Sequence, residues 1–175
     1  MNLLMDRIES PIGELLIVSD GEKLCAVEFE GGEARLKAYL QKRYGNLTIQ
    51  PVDDPQGFSG RVRAYFAGNV HALEEIPVET GGTDFQRRVW KALREIPSGS
   101  TTSYGELAKK VGKPGASRAV GLANGMNPIP VVLPCHRVIG ADASLTGYGG
   151  GLDRKRWLLE HEGVQLRLRK GSYAA

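Results

Sequence analysis

The chain has 175 residues, of which 41% are hydrophobic and 25% are charged, and its formal net charge at pH 7 is +3. A chain of this length can bury a core as one domain or two small ones, and its two cysteines are too few for a disulfide framework or a zinc cluster. No segment has the length of a membrane span, and the first residues lack the basic start and apolar stretch of a signal peptide. We therefore expect a cytoplasmic protein that uses neither a metal nor another cofactor.

Charge is unevenly distributed along the chain. Residues 1–80 contain 8 Lys and Arg against 13 Asp and Glu, a net charge of −5, whereas residues 81–175 contain 15 against 7, a net charge of +8. A basic half of this kind is typical of a surface that docks nucleic acid, but it is also compatible with an ordinary solvated surface. The charge pattern alone leaves both interpretations open.

The first predicted element is a β-hairpin. Residues 14–18 and 24–29 are β-prone runs that flank Asp20-Gly21, and Asp-Gly between two such runs is a strong hairpin signal because a tight turn needs positive φ. Cys25 falls in the second run, where a free cysteine most often serves as a small packed hydrophobe.

Helices follow the hairpin. The pattern predicts one helix over residues 33–44 and another from Ser59 to just before Gly68. The acidic and then Gly-rich residues 74–82 are interpreted as a linker. Residues 1–80 are thus predicted to form a small mixed α/β scaffold domain without catalytic groups.

Residues 81–175 are predicted to form a mainly helical domain. Thr83 and Gln86 match a capping box that opens a helix ended by Pro97 and Gly99, and apolar side chains at helical spacing mark its core face. The fold class expected for the whole chain is α+β, with domains at 1–80 and 81–175.

A helix-turn-helix is predicted next. Ser103 and Glu106 match a second capping box, the glycines near residue 113 break the helix, and residues 116–126 form another helix. This second helix is rich in Gly and Ala, and each interior glycine costs about 1 kcal/mol relative to alanine. Close approach of another backbone would explain the small residues, and that backbone could belong to DNA or to the protein core.

The tetrapeptide Pro134-Cys135-His136-Arg137 carries the strongest chemical signal. It follows the apolar run 129–133, which we interpret as a buried strand that delivers a thiol and an imidazole at its end. A thiol becomes a nucleophile as the thiolate, and nearby His or Arg can lower its pKa. Glu162 lies at the end of a helix predicted over 154–162, where the helix dipole disfavours a carboxylate, so a compensating partner is expected.

The sequence resembles the O6-alkylguanine-DNA alkyltransferases, DNA-repair proteins that move an alkyl group from a damaged base to one of their own cysteines. The resemblance covers about half of the chain, in order and with ordinary spacings, at Thr83-Asp84-Phe85-Gln86, Ser103-Tyr104-Gly105, Ser117-Arg118-Ala119-Val120-Gly121, Asn127-Pro128, Pro134-Cys135-His136-Arg137-Val138 and His161-Glu162-Gly163.

The resemblance implies a set of catalytic roles. Cys135 would be the nucleophile and alkyl acceptor, His136 the base that takes the thiol proton through a bridging water, and Glu162 the carboxylate that orients the histidine. Tyr104 would donate to the leaving base, and Asn127 would tie the recognition helix to the strand that bears the thiol. The resulting thioether cannot readily be cleaved, so each molecule is expected to act once.

The resemblance also implies a DNA partner and a pocket. Double-stranded DNA containing alkylated bases would be bound by one monomer, or by several along the duplex, through a helix that carries Ala116, Ser117, Arg118, Ala119 and Gly121. Arg118 would fill the space left by a flipped-out nucleotide. The pocket for the flipped base would be lined by Pro130, Val138, Tyr148 and Gly149.

Two further expectations concern single positions. Gly149 stands where some family members have a hydrogen-bonding serine, so we predict tolerance of larger alkyl groups and of O4-alkylthymine. Arg154, Lys155 and Arg156 lie near the first turn of the last helix, an unfavourable place for cations, and a contact with the DNA backbone could offset that cost.

Other readings of the same residues remain. A cysteine hydrolase would use Cys135, His136 and Glu162 as a triad, but it would leave the helix-turn-helix and Arg118 unexplained. A non-catalytic alkyl-lesion-binding protein of the alkyltransferase-like class would need Cys135 to be inert. The repair half of a bifunctional regulator is disfavoured, because only Cys25 lies upstream to build that regulator's zinc segment.

Overall fold

The computed structural model describes residues 1–169 and 172–174, with side chains through Leu166. The chain divides into two compact units, one formed by Met1–Gly81 with Pro128–Val132 and the other by Gly82–Asn127 with Leu133–Ala175. Strands dominate the first unit and helices the second, which agrees with the expected α+β class. Within the described part of the chain, no helix is long and apolar enough to cross a membrane.

The first unit is built on a four-stranded sheet. Its strands are β1 (Asn2–Ile8), β2 (Leu15–Ser19), β3 (Leu24–Phe29) and β4 (Thr48–Pro51). They lie in the order β3-β2-β1-β4, with β1 and β4 parallel and the other pairs antiparallel. The hairpin predicted around Asp20-Gly21 is confirmed, and Gly21 has the positive φ of 100° that the turn requires. Strands β1 and β4 were not predicted.

Two helices accompany this sheet, α1 (Glu33–Tyr44) and α2 (Phe58–Phe66), with a short 3-10 turn at Pro55–Gly57 before α2. Both helices agree with the predicted spans to within one or two residues. Helix α1 packs on one face of the sheet, and the core there is formed by Leu3, Leu16, Val18, Cys25, Ala26, Leu36 and Leu40. Cys25 is fully buried in β3, as its apolar neighbours indicated.

Among the described residues of the second unit, the α-helices are α3 (Asp84–Leu93), α4 (Tyr104–Lys110), α5 (Ser117–Gly125) and α6 (Leu152–His161). Short strands β5 (Thr102–Ser103) and β6 (Val138–Ile139) pair in parallel, and β7 (Arg167–Arg169) pairs antiparallel with β8 (Ser172–Ala174). Thr83 and Gln86 form the predicted capping box, whereas Ser103 caps α4 alone because Glu106 pairs with Lys109.

Helix α5 is held against the rest of the unit by α3 and α4. The indole Nε1 of Trp90 donates a hydrogen bond of 2.8 Å to the carbonyl of Ala123, which fixes α3 on α5 at a buried point. Helices α4 and α5 are joined by a short turn that contains Gly112 and Gly115, both at positive φ. This order and contact are consistent with the predicted helix-turn-helix.

The strand expected over residues 129–133 is not formed. Prolines at 128, 130 and 134 remove three backbone donors, and Val131 takes a positive φ of 74°, which a strand cannot accommodate. Pro128–Val132 instead belongs to the first unit, where the carbonyl of Pro128 accepts a hydrogen bond from the amide of Val27. Cys135–Arg137 forms one turn of 3-10 helix rather than the end of a strand.

Candidate active site

The Cys135 thiol is buried in the second unit. Its residue is 5% exposed and begins the 3-10 turn, and its amide donates to the carbonyl of Leu133 at 2.7 Å. Burial raises the pKa of the thiol to about 11, although a hydrogen bond from Asn127 and the charge of Lys155 favour the thiolate. Cys135 therefore rests as a thiol at neutral pH and requires a base before it can act as a nucleophile.

His136 follows Cys135 directly and carries a buried imidazole. The imidazole is completely buried, and its Nε2 lies 2.9 Å from Oε2 of Glu162. Burial lowers the pKa of His136, against the opposing pull of Glu162, so the ring is neutral at neutral pH. Because an ionised carboxylate can only accept, Nε2 carries the proton and Nδ1 holds the free lone pair. In the described part of the chain Nδ1 is buried without a hydrogen-bond partner.

Glu162 is anchored by Arg137 as well as by His136. Nε and Nη2 of Arg137 donate to the two carboxylate oxygens at 2.8 and 2.9 Å, and Nη1 donates to the carbonyl of Ile96 at 2.6 Å. Burial would raise the pKa of Glu162, but hydrogen bonds and charge from these two partners hold it well below its usual value. Since His136 is neutral, the guanidinium supplies the permanent charge that keeps Glu162 ionised.

Sequence reasoning predicted a partner for Glu162 but missed Arg137 in that role. The carboxylate lies at the C-terminal cap of α6, and the partner expected from the helix dipole is confirmed. Arg137 follows His136 directly, and its only sequence signal was its place in the tetrapeptide. The 3-10 turn is what allows both neighbouring side chains to reach one carboxylate, because side chains adjacent in a strand would point to opposite faces.

Two asparagines from the end of α5 hold the reactive turn. Nδ2 of Asn127 donates to the carbonyl of Leu133 at 2.7 Å, and Nδ2 of Asn124 donates to the carbonyl of Cys135 at 3.3 Å. The tie predicted for Asn127 is thus present, whereas Asn124 was not singled out. Asn124 is 5% exposed, and its Oδ1 is buried without a hydrogen-bond partner among the described residues.

Lys155, like Arg137, is a buried cation, and the position predicted for it from the sequence was wrong. It was expected at the surface with Arg154 and Arg156, but it is completely buried, and its Nζ donates to the carbonyls of Val138 and Thr146, each at 2.6 Å. Burial lowers its pKa to about 8, and a thiolate at Cys135 would oppose that shift. Lys155 is therefore unavailable to a phosphate, and it links β6 to the loop that carries Tyr148.

Tyr104 is the first residue of α4 and faces the same loop. The hydroxyl of Thr146 donates to the Tyr104 hydroxyl at 3.2 Å. A Cβ added at Gly121 would lie 3.5 Å from the Tyr104 ring, an ordinary van der Waals contact. An alanine would therefore fit at Gly121, so packing of α5 against the Tyr104 ring does not by itself require a glycine there.

The remaining predicted residues lie in three places. Ala116 caps α5, Ser117 begins it, and Arg118 and Ala119 are exposed on its first turn. In the second unit Val138 is buried in β6, Tyr148 is half-buried and Gly149 is exposed, whereas the half-buried Pro130 belongs to the first unit. Across the described residues, no group of three or more His, Cys, Asp or Glu could hold a metal ion.

Comparisons with known proteins place both halves of the chain in one family. Residues 3–80 match the ribonuclease-like domain of 6-O-methylguanine DNA methyltransferase, and residues 84–164 match its DNA-binding domain. A methylated-DNA--protein-cysteine methyltransferase of Shigella flexneri is 47% identical over 169 residues, covering 95% of this chain and 99% of that protein. The relative of the same name from Mycolicibacterium paratuberculosis is 58% identical, with 89% of each chain covered.

Solved structures give the same result. The structure of Mycobacterium tuberculosis OGT in complex with DNA has a TM-score of 0.76 and 46% identity, covering 91% of this chain and 92% of that one. An O6-methylguanine-DNA methyltransferase from Pyrococcus kodakaraensis has a TM-score of 0.67 and 31% identity, covering 93% and 99%. With both domain models matched and identities of this size over nearly the whole length, the chain belongs to the 6-O-methylguanine DNA methyltransferase family.

Proposed function

We propose that this protein repairs DNA by moving the alkyl group of O6-alkylguanine to Cys135. The observation that carries the proposal is the buried thiol on the same 3-10 turn as a neutral imidazole, which is itself held by Glu162 and Arg137. A hydrolase would use the same three side chains, but the names of the relatives and the DNA complex of the Mycobacterium tuberculosis protein favour transfer from DNA.

The chemistry is an in-line displacement at carbon. The Cys135 proton passes to Nδ1 of His136 through a bridging water, and the sulfur forms a bond to the alkyl carbon as the bond from that carbon to guanine O6 breaks. The leaving guanine takes its proton from the Tyr104 hydroxyl, which is replenished from the imidazolium through solvent. Glu162 stabilises the imidazolium while it exists. The products are unmodified guanine and an S-alkylcysteine.

Such a site acts once. To regenerate the thiol, a nucleophile would have to attack the alkyl carbon of the thioether and expel the Cys135 thiolate, a poor leaving group, and neither His136 nor Glu162 is a strong enough nucleophile for that step. The high resting pKa of Cys135 suits a single use, because a protonated thiol is protected from stray oxidants and electrophiles until a substrate arrives.

The proposed substrate is duplex DNA bound by one monomer at a lesion, with further monomers able to bind alongside. The alkylated oxygen lies inside the base stack, so the nucleotide has to rotate out before Cys135 can reach it. Arg118 is exposed on the first turn of α5 and is the residue we assign to the vacated space. Repair of this kind would take place in the cytoplasm.

Intact mass after mixing with excess O6-methylguanine duplex tests the proposal. We expect a gain of one methyl group per chain, no further gain on a second addition of duplex, and no gain in Cys135→Ser. A Cys25→Ser variant is the matched control and should gain the methyl group like the wild type. Tight binding without a mass gain would instead indicate a lesion-binding protein, and repeated turnover would indicate a hydrolase.

Gly149 tests the range of adducts. The position is exposed, and a Cβ added there meets no atom within 4 Å, so Gly149→Ser should fold normally. A serine would fill space and add a hydrogen-bonding group at the proposed pocket, so we expect the transfer rate for O6-benzylguanine to fall relative to that for O6-methylguanine. An unchanged ratio of the two rates in single-turnover assays would contradict the role assigned to Gly149.

A further inference from the structure

Tyr104 and Thr146 lie close together because they follow two strands that pair in parallel. Strand β5 pairs with β6, and Tyr104 comes directly after β5 as the first residue of α4. Since the two strands run in the same direction, the residues that follow β6 leave the pair at the same end as Tyr104. Thr146 belongs to that following segment, residues 140–151, which we call the β6 loop.

The β6 loop is anchored as far as Thr146. Leu145 is buried in a small cluster with Ile139 and Leu159. The carbonyl of Thr146 accepts a hydrogen bond of 2.6 Å from Nζ of Lys155, whose side chain is itself completely buried. The five residues after Thr146 include four glycines. The backbone is therefore held up to Thr146 and becomes rich in glycine directly beyond it.

The side chain of Thr146 is directed at the Tyr104 hydroxyl. Its Oγ1 donates to the phenol oxygen at 3.2 Å, and because Thr146 is exposed and Tyr104 half-buried, the contact lies at the surface of the second unit. Branching at Cβ restricts χ1 of a threonine, so a fixed backbone also fixes the direction of the hydroxyl. A phenol carries one proton and can accept at its oxygen, so this contact leaves the Tyr104 proton free to be donated.

We propose that Thr146 is a positioning residue for Tyr104, which holds the phenol with its proton free for the leaving base. This inference rests on the proposed function and adds a residue to it. In the transfer step the Tyr104 proton passes to the leaving guanine, so negative charge develops on the phenol oxygen. A donor that is already fixed at that oxygen stabilises the charge without any reorganisation during the reaction.

Removal of the Thr146 hydroxyl should slow the chemical step more than it weakens substrate binding. A hydrogen bond to a charged acceptor is stronger than one to a neutral acceptor, so this contact gains strength in the transition state. Thr146→Val keeps the shape of the side chain, and we expect the transfer rate at saturating substrate to fall roughly tenfold. The substrate concentration that gives half of that rate should change by less than about twofold.

Single-turnover transfer from free O6-benzylguanine base, at a series of base concentrations, gives both quantities. Thr146→Ser retains the hydroxyl and should keep most of the rate. Ser144→Ala is the matched control, because it removes a hydroxyl of the same loop that bonds to Asp142 instead, and it should transfer at the wild-type rate.

A double-mutant cycle separates positioning of Tyr104 from a general effect on the loop. In a Tyr104→Phe background, Thr146→Val should cause no further loss of rate, because the group on which Thr146 acts is absent. A general disturbance of the loop would slow transfer equally in both backgrounds. An equal loss in the two backgrounds would therefore overturn the proposal, as would a wild-type rate in Thr146→Val.

The contact can also be measured without any transfer. In protein labelled with ¹³C at the tyrosine Cζ, the Tyr104 signal is the one that disappears in Tyr104→Phe. We expect that signal to move in Thr146→Val and to stay near its wild-type position in Thr146→Ser and Ser144→Ala. An unmoved signal in Thr146→Val would overturn the proposal. Absence of transfer in the wild type would count against the proposed function, while the Tyr104 signal would still decide whether Thr146 holds the phenol.

Discussion

The chain contains two buried thiols, one in each unit, and they differ in what surrounds them. Cys25 is the second residue of β3 and is completely buried, and Cys135 lies on a 3-10 turn and is 5% exposed. Burial raises the pKa of both above the ordinary value. Judged by burial and acidity alone, the two thiols would be equally inert.

Their neighbours separate them. Cys25 packs with Tyr44 near the Arg43 guanidinium, and neither side chain is a base at neutral pH. Beside Cys135 lies His136, whose neutral imidazole is held by Glu162 and, through it, by Arg137. Under the proposed mechanism, Cys135 becomes reactive through an adjacent base whose tautomer is fixed, rather than through a low resting pKa.

The largest expected effect comes from removing that base. In His136→Gln the amide can still donate to Glu162, but no group remains to take the thiol proton. We expect the single-turnover rate of methyl transfer to fall by roughly 10²–10⁴-fold, the usual range for loss of a general base. As a control, the affinity of the variant for duplex DNA should stay within about twofold of that of the wild type. A near wild-type transfer rate in His136→Gln would show that an adjacent base is not what distinguishes Cys135 from Cys25.

Arg137→Met tests, through the stability of the protein, how Arg137 supports the site around Cys135. The variant leaves the buried Glu162 carboxylate beside a neutral imidazole, so we expect a loss of about 3–5 kcal/mol in the free energy of unfolding, measured with urea at pH 7. The double variant Arg137→Met/Glu162→Gln removes the stranded charge and should recover most of that loss. A double variant no more stable than the single one would show that Arg137 acts by packing instead.

The pairing of Arg137 with Glu162 also predicts how the stability of the protein depends on pH. Because the folded pKa of Glu162 is depressed, its stabilising contribution is present above the unfolded value, near 4.5, and is lost as the pH falls through the folded value. Without Arg137 the folded pKa of Glu162 lies above that of the wild type, so the stability gap between Arg137→Met and wild type should narrow as the pH falls through the variant's folded pKa. Urea unfolding at pH 7, 5 and 4 measures that gap.

Asn124→Leu should have a smaller effect on rate and little effect on stability. The substitution removes the donor to the Cys135 carbonyl, but it also removes a buried oxygen that has no hydrogen-bond partner in the described structure. Because those two terms oppose each other, we expect a change within about 1 kcal/mol in the free energy of unfolding and a transfer rate roughly tenfold lower. If a stable Asn124→Leu variant transferred the alkyl group at the wild-type rate, Asn127 alone would position the turn that carries Cys135.

Alkylation by iodoacetamide compares the thiols without DNA. At pH 8 both should react slowly, and the rate at Cys135 should rise with pH toward a midpoint near 11, above that of an ordinary cysteine. Rates are read from the two cysteine-bearing peptides by mass spectrometry. A midpoint below 8 for Cys135 would mean that the thiolate is already formed at rest, which contradicts activation by His136.

Several features of the fold and of the candidate site could be predicted from the sequence. The hairpin around Asp20-Gly21, the capping box at Thr83 and the need for a partner at Glu162 are local signals, because each depends on residues a few positions apart. Strand β4 carries no such signal, since it has only four residues and its place is decided by pairing with β1, more than forty positions away.

The errors have the same origin. The apolar run 129–133 was interpreted as a strand from its β-branched residues, but its prolines cannot supply a ladder of hydrogen bonds. Lys155 looked like a surface cation because its neighbours Arg154 and Arg156 are charged, and only the fold shows that two carbonyls surround its ammonium. Arg137 and Asn124 acquire their roles from partners that the chain brings together from a distance.

The most direct measurement uses the wild-type protein and both cysteines at once. The protein is reacted with excess O6-methylguanine duplex and digested, and the methylated fraction of the Cys25 and Cys135 peptides is measured in the same sample. The account predicts methylation of Cys135 approaching one group per chain, with Cys25 unmodified. Methyl groups on Cys25, or on neither thiol after the lesion has been repaired, would contradict it.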